Sequence, residues 1–188
     1  MLGESVDILS IVLIAIGLSI DDFAISISYG IVTTQHRKKY AIIIVSLFTI
    51  FQMLMPTIGY FVGFRLNEAL MGINYWVAFG LLAFIGAKMI YDSTKKETEQ
   101  KASLKVLSLL IISIVTSVDA LMVGFSFAFV QSEIILPVLL IGLVTFLLSF
   151  VGFFFGCSLG RIFGNRMKVV GGFVLIAIGI RILIGAFI

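Results

Sequence analysis

The chain has 188 residues, 61% of them hydrophobic and 12% charged, with a formal net charge of +3 and a mean hydropathy of +1.22. Soluble domains carry about 25% charged residues, so a water-soluble globular fold is excluded and the chain reads as an integral membrane protein. One cysteine (Cys157) and one histidine (His36, in a basic loop) leave neither a disulfide framework nor a thiolate cage for a metal.

Six apolar runs reach the roughly 20 residues that cross a bilayer as a helix: residues 6–32, 40–64, 73–91, 106–130, 134–159 and 169–187. The flank of the first, MLGESVD, has no Lys or Arg, so the run is a retained span and not a signal peptide. It carries Ser19-Ile20-Asp21-Asp22. A charged Asp at the centre of a membrane helix costs at least about 2.5 kcal/mol, which makes a functional role the default. Neighbours on a helix point about 100° apart, so Asp21 and Asp22 do not both face the centre without a helix break. Asp22 shares a face with Ser19 and Ser26.

Gln52 in the second run sits one turn before Pro56, whose missing N–H frees a carbonyl. Gln52 is then either a ligand at a kink or a helix–helix hydrogen-bonding group. The third run carries Lys88 and the sixth Arg181. These cations either neutralise the acid of their own half, Lys88 with Asp21 and Arg181 with Asp119, or, the preferred reading, snorkel to the nearer surface. Gly152, Gly156, Gly160 and Gly164, with Gly59 and Gly63, let backbones approach closely, either within the bundle or between protomers of a homo-oligomer.

The first connection holds Arg37, Lys38 and Lys39, the third Lys95, Lys96, Lys101 and Lys105, and the fifth Arg161, Arg166 and Lys168, against Arg65 alone on the other side. The positive-inside rule makes the odd connections cytoplasmic and both termini extracytoplasmic. Topology is the preferred account of these basic clusters over nucleic-acid or lipid recognition.

The chain also repeats itself. Ser19-Ile20-Asp21 matches Ser117-Val118-Asp119; Ile58-Gly59-Tyr60-Phe61-Val62-Gly63 matches Val151-Gly152-Phe153-Phe154-Phe155-Gly156; Ile85-Gly86-Ala87-Lys88 matches Ile178-Gly179-Ile180-Arg181. The order is the same in both halves, and three spans per half is odd, so the halves are inverted. One transmembrane domain, 1–188, is expected, with repeats 1–92 and 105–188 joined by a cytoplasmic linker, 93–104. Secondary transporters built this way bind substrate near the midplane at the repeat interface. Asp21 and Asp119, each roughly 20 Å along its helix, would meet there.

SIDDFAISIS, TSVDALMVG, FQMLMPTIGYFVG and WVAFGLLAFIGAKMI resemble the MntP-type manganese efflux pumps of bacteria over nearly the whole length. The resemblance implies Mn²⁺ export across the bacterial plasma membrane, with Asp21 and Asp119 as essential intramembrane residues. Two positions depart from the family pattern: Asp22 stands where Ala is common, and Gln52 where some members have Glu.

Independently of the resemblance, the spans offer only oxygen ligands: Asp21, Asp22, Asp119, Gln52, Ser19, Ser117 and Thr145, the last being the repeat partner of Gln52. That inventory suits hard divalent cations and does not choose among them. Export against an inside-negative potential costs about 4.6 kcal/mol per 100 mV for a dication. No G-x-x-x-x-G-K-[ST] loop is present, so exchange with protons is the expected coupling. The expected partners are Mn²⁺ as cargo and the lipid bilayer, with no further cofactor and no enzymatic activity. Two competing readings remain at this point, an intramembrane aspartyl protease and an exporter of amino acids or other small organic ions.

Overall fold

The computed structural model describes residues 8–66, 74–94, 106–130 and 133–159, together with 169, 173, 176–181 and 183–184. Residues 95–104 of the expected linker, the basic residues of the third and fifth connections, Gly160, Gly164 and the side chain of Cys157 lie outside the described residues. Everything described is helix or connection, with no strand among the described residues. The helices are α1 (Ile8–Val32), α2 (Arg37–Leu66), α3 (Asn74–Thr94), α4 (Val106–Thr116), α5 (Val118–Val130) and α6 (Ile135–Leu159).

Four stretches are long and apolar enough to cross a membrane: Ile8–Val32, Arg37–Leu66, Leu107–Val130 and Ile135–Phe155, while α3 adds the shorter apolar stretch Trp76–Lys88. Residues 176–181 and 183–184 of the sixth run are helical as well. Helices are what an apolar solvent demands, because each backbone N–H and C=O must then be satisfied within its own segment.

The sorting of side chains is the reverse of a soluble protein's. Ile42, Leu107 and Ile135 are each more than two-thirds exposed, whereas Ser19, Asp22, Gln52, Ser117 and Thr145 are completely buried. In water this would cost on both counts. Around a bilayer the apolar exterior meets lipid, and the polar groups gather in the interior.

α1 turns into α2 over residues 33–36. The Thr33 N–H donates to the Tyr29 carbonyl at 2.9 Å, and His36 takes a left-handed φ of 51° that reverses the chain. Arg37 donates to the Gly30 carbonyl at 3.4 Å, placing a cation at the C-terminus of α1, where the helix dipole favours it.

α1 packs on α6 and α2 on α5, with α2 also against α6 and α3 against α5. Two glycines permit the main seams. A Cβ at Gly59 would collide with the Leu121 carbonyl, and one at Gly152 would lie 2.8 Å from the Phe23 carbonyl oxygen. Gly59 and Gly152 are equivalent in the repeat, and Phe23 and Leu121 each stand two residues beyond the acid of their motif.

Two apolar clusters form. One gathers Ile14 and Leu18 of α1, Tyr60 of α2, Leu82 of α3, Val123 and Phe127 of α5 and Ile141 of α6. The other gathers Tyr29 of α1, Ile44 and Phe48 of α2, Leu109 of α4 and Phe153 of α6. α1, α2 and α6 each pass from one cluster to the other, as α4 and α5 do together, and the residues between the clusters form the candidate site.

Candidate metal centre

Between Leu18 and Tyr29, α1 presents Ser19, Asp22 and Ser26, all fully buried. The spacing of three and four residues keeps them on one face. Between Phe48 and Tyr60, α2 presents Gln52. Between Ile141 and Phe153, α6 presents Thr145 and Ser149, and the α4–α5 segment presents Ser113, Ser117 and Asp119. The result is a layer of oxygen-bearing side chains enclosed by hydrocarbon on either side.

Some of these groups satisfy one another. Ser19 Oγ donates to the Ala15 carbonyl at 2.7 Å, which uses its single proton, so Thr145 Oγ1 donates to Ser19 across the α1–α6 seam, also at 2.7 Å. Gln52 Nε2 donates to the Leu18 carbonyl at 3.2 Å. Others have no hydrogen-bond partner: both carboxylate oxygens of Asp22, Gln52 Oε1, Ser26 Oγ and Ser149 Oγ are buried and unpaired. The Thr116 hydroxyl and the Gln52 side chain face the Asp22 carboxylate but do not reach hydrogen-bonding geometry. A buried polar group left unsatisfied costs about 1–3 kcal/mol, so a concentration of them calls for an occupant such as water or an ion. Pro56 adds to the set, because the Gln52 carbonyl loses its i+4 donor.

Asp21 is only half-buried, on the flank of α1. The member of the acidic pair that reaches the interior of the layer is Asp22, as the helical spacing from Ser19 and Ser26 requires while α1 stays unbroken.

The fourth run was expected to be continuous over 106–130, and it is interrupted at Ser117. The Ser113 carbonyl receives three donors: Ser117 N–H at 3.2 Å, Ser117 Oγ at 2.6 Å and Thr116 Oγ1 at 3.2 Å. The Ser117 N–H is also shared with the Ile114 carbonyl at 3.2 Å. Hydroxyl back-bonding of this kind competes with the helical ladder and bends it. Asp119 consequently sits in the first turn of α5, where the positive end of the helix dipole favours a carboxylate.

Asp119 is paired with Lys88 Nζ at 2.7 Å. Lys88 thus reaches an acid of the other half, a pairing that neither expectation for it named. The cause is packing, since α3 lies against α5. Arg181 likewise crosses between halves, donating to Ser10 Oγ at 3.0 Å. Sequence reasoning missed Thr116, Ser113 and Ser149. Ser149 was accessible from its i+4 spacing to Thr145, whereas the approach of Thr116 to Asp22 needed the fold.

Among the described residues no three His, Cys, Asp or Glu side chains come together. A cation held in this layer would therefore keep neutral oxygens and waters in its shell, which suits a hard ion that must later be released.

A family model described as "Putative manganese efflux pump" matches residues 35–183. The chain belongs to the MntP family. Relatives named "Putative manganese efflux pump MntP" include one from Methanothermobacter thermautotrophicus, 43% identical over 95% of this chain and 96% of its own length. Another, from Clostridium perfringens strain SM101, is 40% identical over 94% of each, and one from Crocosphaera subtropica is 40% identical over 95% and 96%. No solved structure matches. MntP membership and the apolar helices make this a multi-pass membrane protein.

Proposed function

We propose that this MntP-family chain is a secondary transporter, not an enzyme, that exports Mn²⁺ through a midplane site. The names of its relatives support manganese as cargo. The observation that carries the mechanism is the buried oxygen layer, with Asp22 and Gln52 Oε1 unpaired, lying between two apolar clusters. Asp22, Gln52 and Asp119 are the principal ligands, with Ser117 and Thr145 in the same layer and Asp21 at its edge. Manganese binds where water is scarce, so the two carboxylates attract it strongly.

Two inverted halves, 1–92 and 105–188, would exchange the side from which this layer is reached while remaining one domain. The matched contacts of Gly59 with Leu121 and Gly152 with Phe23, and of α2 with α5 and α1 with α6, support that symmetry. The basic odd-numbered connections support cytoplasmic loops and outward termini. Coupling to protons completes the cycle: an acid vacated by Mn²⁺ takes up a proton and returns. The Lys88–Asp119 pair favours this reading over the protease, whose two acids must share a proton.

The test is complementation of cells that lack their manganese exporter and are sensitive to Mn²⁺. The wild-type chain should restore tolerance, and Asp22→Asn and Asp119→Asn should not, at equal membrane abundance. Full rescue by both variants would remove the site.

A further inference from the structure

The layer is not symmetric about its own centre. Ser26, five residues beyond the acid of the first motif, corresponds to Gly124 in the second; Ser149, three residues before Gly152, corresponds to Pro56, three before Gly59; and Ser113 corresponds to Ala15. On the α2–α5 seam the corresponding positions close backbone to backbone, since a Cβ at Gly124 would collide with Pro56, and Ala15 belongs to the first apolar cluster. On the α1–α6 seam Ser26 Oγ and Ser149 Oγ are fully buried and unpaired. Ser26 lies on the Asp22 face of α1, with its Cβ 3.3 Å from where a Cβ would stand at Gly152. Polar groups thus continue from Asp22 toward the C-terminal ends of α1 and α6, and apolar ones occupy the equivalent positions on the other side.

We infer that Ser26 and Ser149, with Asp22 at their inner end, form a second station for a partly hydrated hard divalent cation, on the path from the cytoplasm to the central site. Hydroxyls hold such an ion without a full charge, so it stays hydrated and passes on to the carboxylates. The Gly30–Phe153 backbone contact closes the seam beyond this station and must open for entry. The inference rests on the exporter reading above, in particular on its orientation in the membrane.

The test places a cysteine at Ser26 or at Ser149 in a Cys157→Ser background and applies a membrane-impermeant cationic thiol reagent to vesicles of either orientation, with and without Mn²⁺. Ser26→Cys and Ser149→Cys should react from the cytoplasmic face and be protected by Mn²⁺, whereas Ala15→Cys should not react from the outer face. As a second measurement, the Ser26→Ala/Ser149→Ala double variant should raise the half-saturating Mn²⁺ on the cytoplasmic face by about fivefold, the scale of a lost hydroxyl contact, with the outer face unchanged. Labelling that Mn²⁺ does not slow, labelling only from outside, or an unchanged half-saturation would each overturn the inference. Should those results coincide with loss of tolerance in Asp22→Asn and Asp119→Asn, the central site stands and only the second station falls.

Discussion

Asp22 and Asp119 are both buried acids, yet they meet opposite surroundings. Asp119 has a helix N-terminus behind it and an ammonium 2.7 Å in front, while the oxygens of Asp22 have no donor at hydrogen-bonding distance. On the proposed function Lys88 and a dication would compete for Asp119, since the carboxylate gains little from holding both positive charges at once. Lys88→Met should therefore tighten equilibrium Mn²⁺ binding by the purified protein, measured by calorimetry, and Lys88→Arg should leave it near wild type. Weaker binding in Lys88→Met would make the lysine a support of the site instead of a competitor. At this scale the sequence was partly legible. The helical angle assigns Asp22 to the Ser19–Ser26 face from spacing alone. That Lys88 meets Asp119 is a long-range consequence of α3 lying on α5, which no local pattern encodes.

Hydropathy located the helices well and their interruptions poorly. α1 and α6 start within two residues of the apolar runs and end with them. α2 begins earlier, at Arg37, because a polar turn continues the helix beyond the apolar stretch. The break at Ser117 has no Gly or Pro to announce it; its only sequence signal is the adjacent pair Thr116-Ser117, whose hydroxyls both return to the Ser113 carbonyl. Packing between elements rests on close backbone approach. Gly124→Ala should lower the melting temperature in detergent, since the added methyl meets the Pro56 main chain and overpacking costs about 1–3 kcal/mol. Gly80→Ala is the control: its Cβ would enter open space, and alanine favours the helix by about 1 kcal/mol over glycine. A melting temperature for Gly124→Ala as high as that of Gly80→Ala would mean that the α2–α5 seam tolerates widening.

Taken whole, the molecule is a polar layer held between two apolar seals. The sequence made the six runs and the internal match visible, but not that Ile14, Tyr60, Phe127 and Ile141 close one side and Tyr29, Phe48, Leu109 and Phe153 the other, because each seal draws on helices distant in sequence. In the proposed exporter such seals would keep small ions from crossing when no cargo is moving. Phe48, fully buried in the second cluster, is the test: Phe48→Ala removes a ring at a cost of about 3–5 kcal/mol and should raise the proton leak of metal-free vesicles, followed with a pH-sensitive dye. A leak no greater than that of the parent, in folded protein, would mean that the other cluster suffices.

The length of α2 reaches beyond this interior. Its 30 residues extend about 45 Å, against a hydrocarbon thickness of about 30 Å, so it must tilt, project, or do both. On the proposed topology its first turn, with Arg37, Lys38 and Lys39 exposed, would stand among the phosphates of the inner leaflet. A helix that bore a ligand at Gln52 at one depth and met lipid headgroups at another would act as a lever, through which bilayer thickness and anionic lipid content would reach the proposed site from outside the protein.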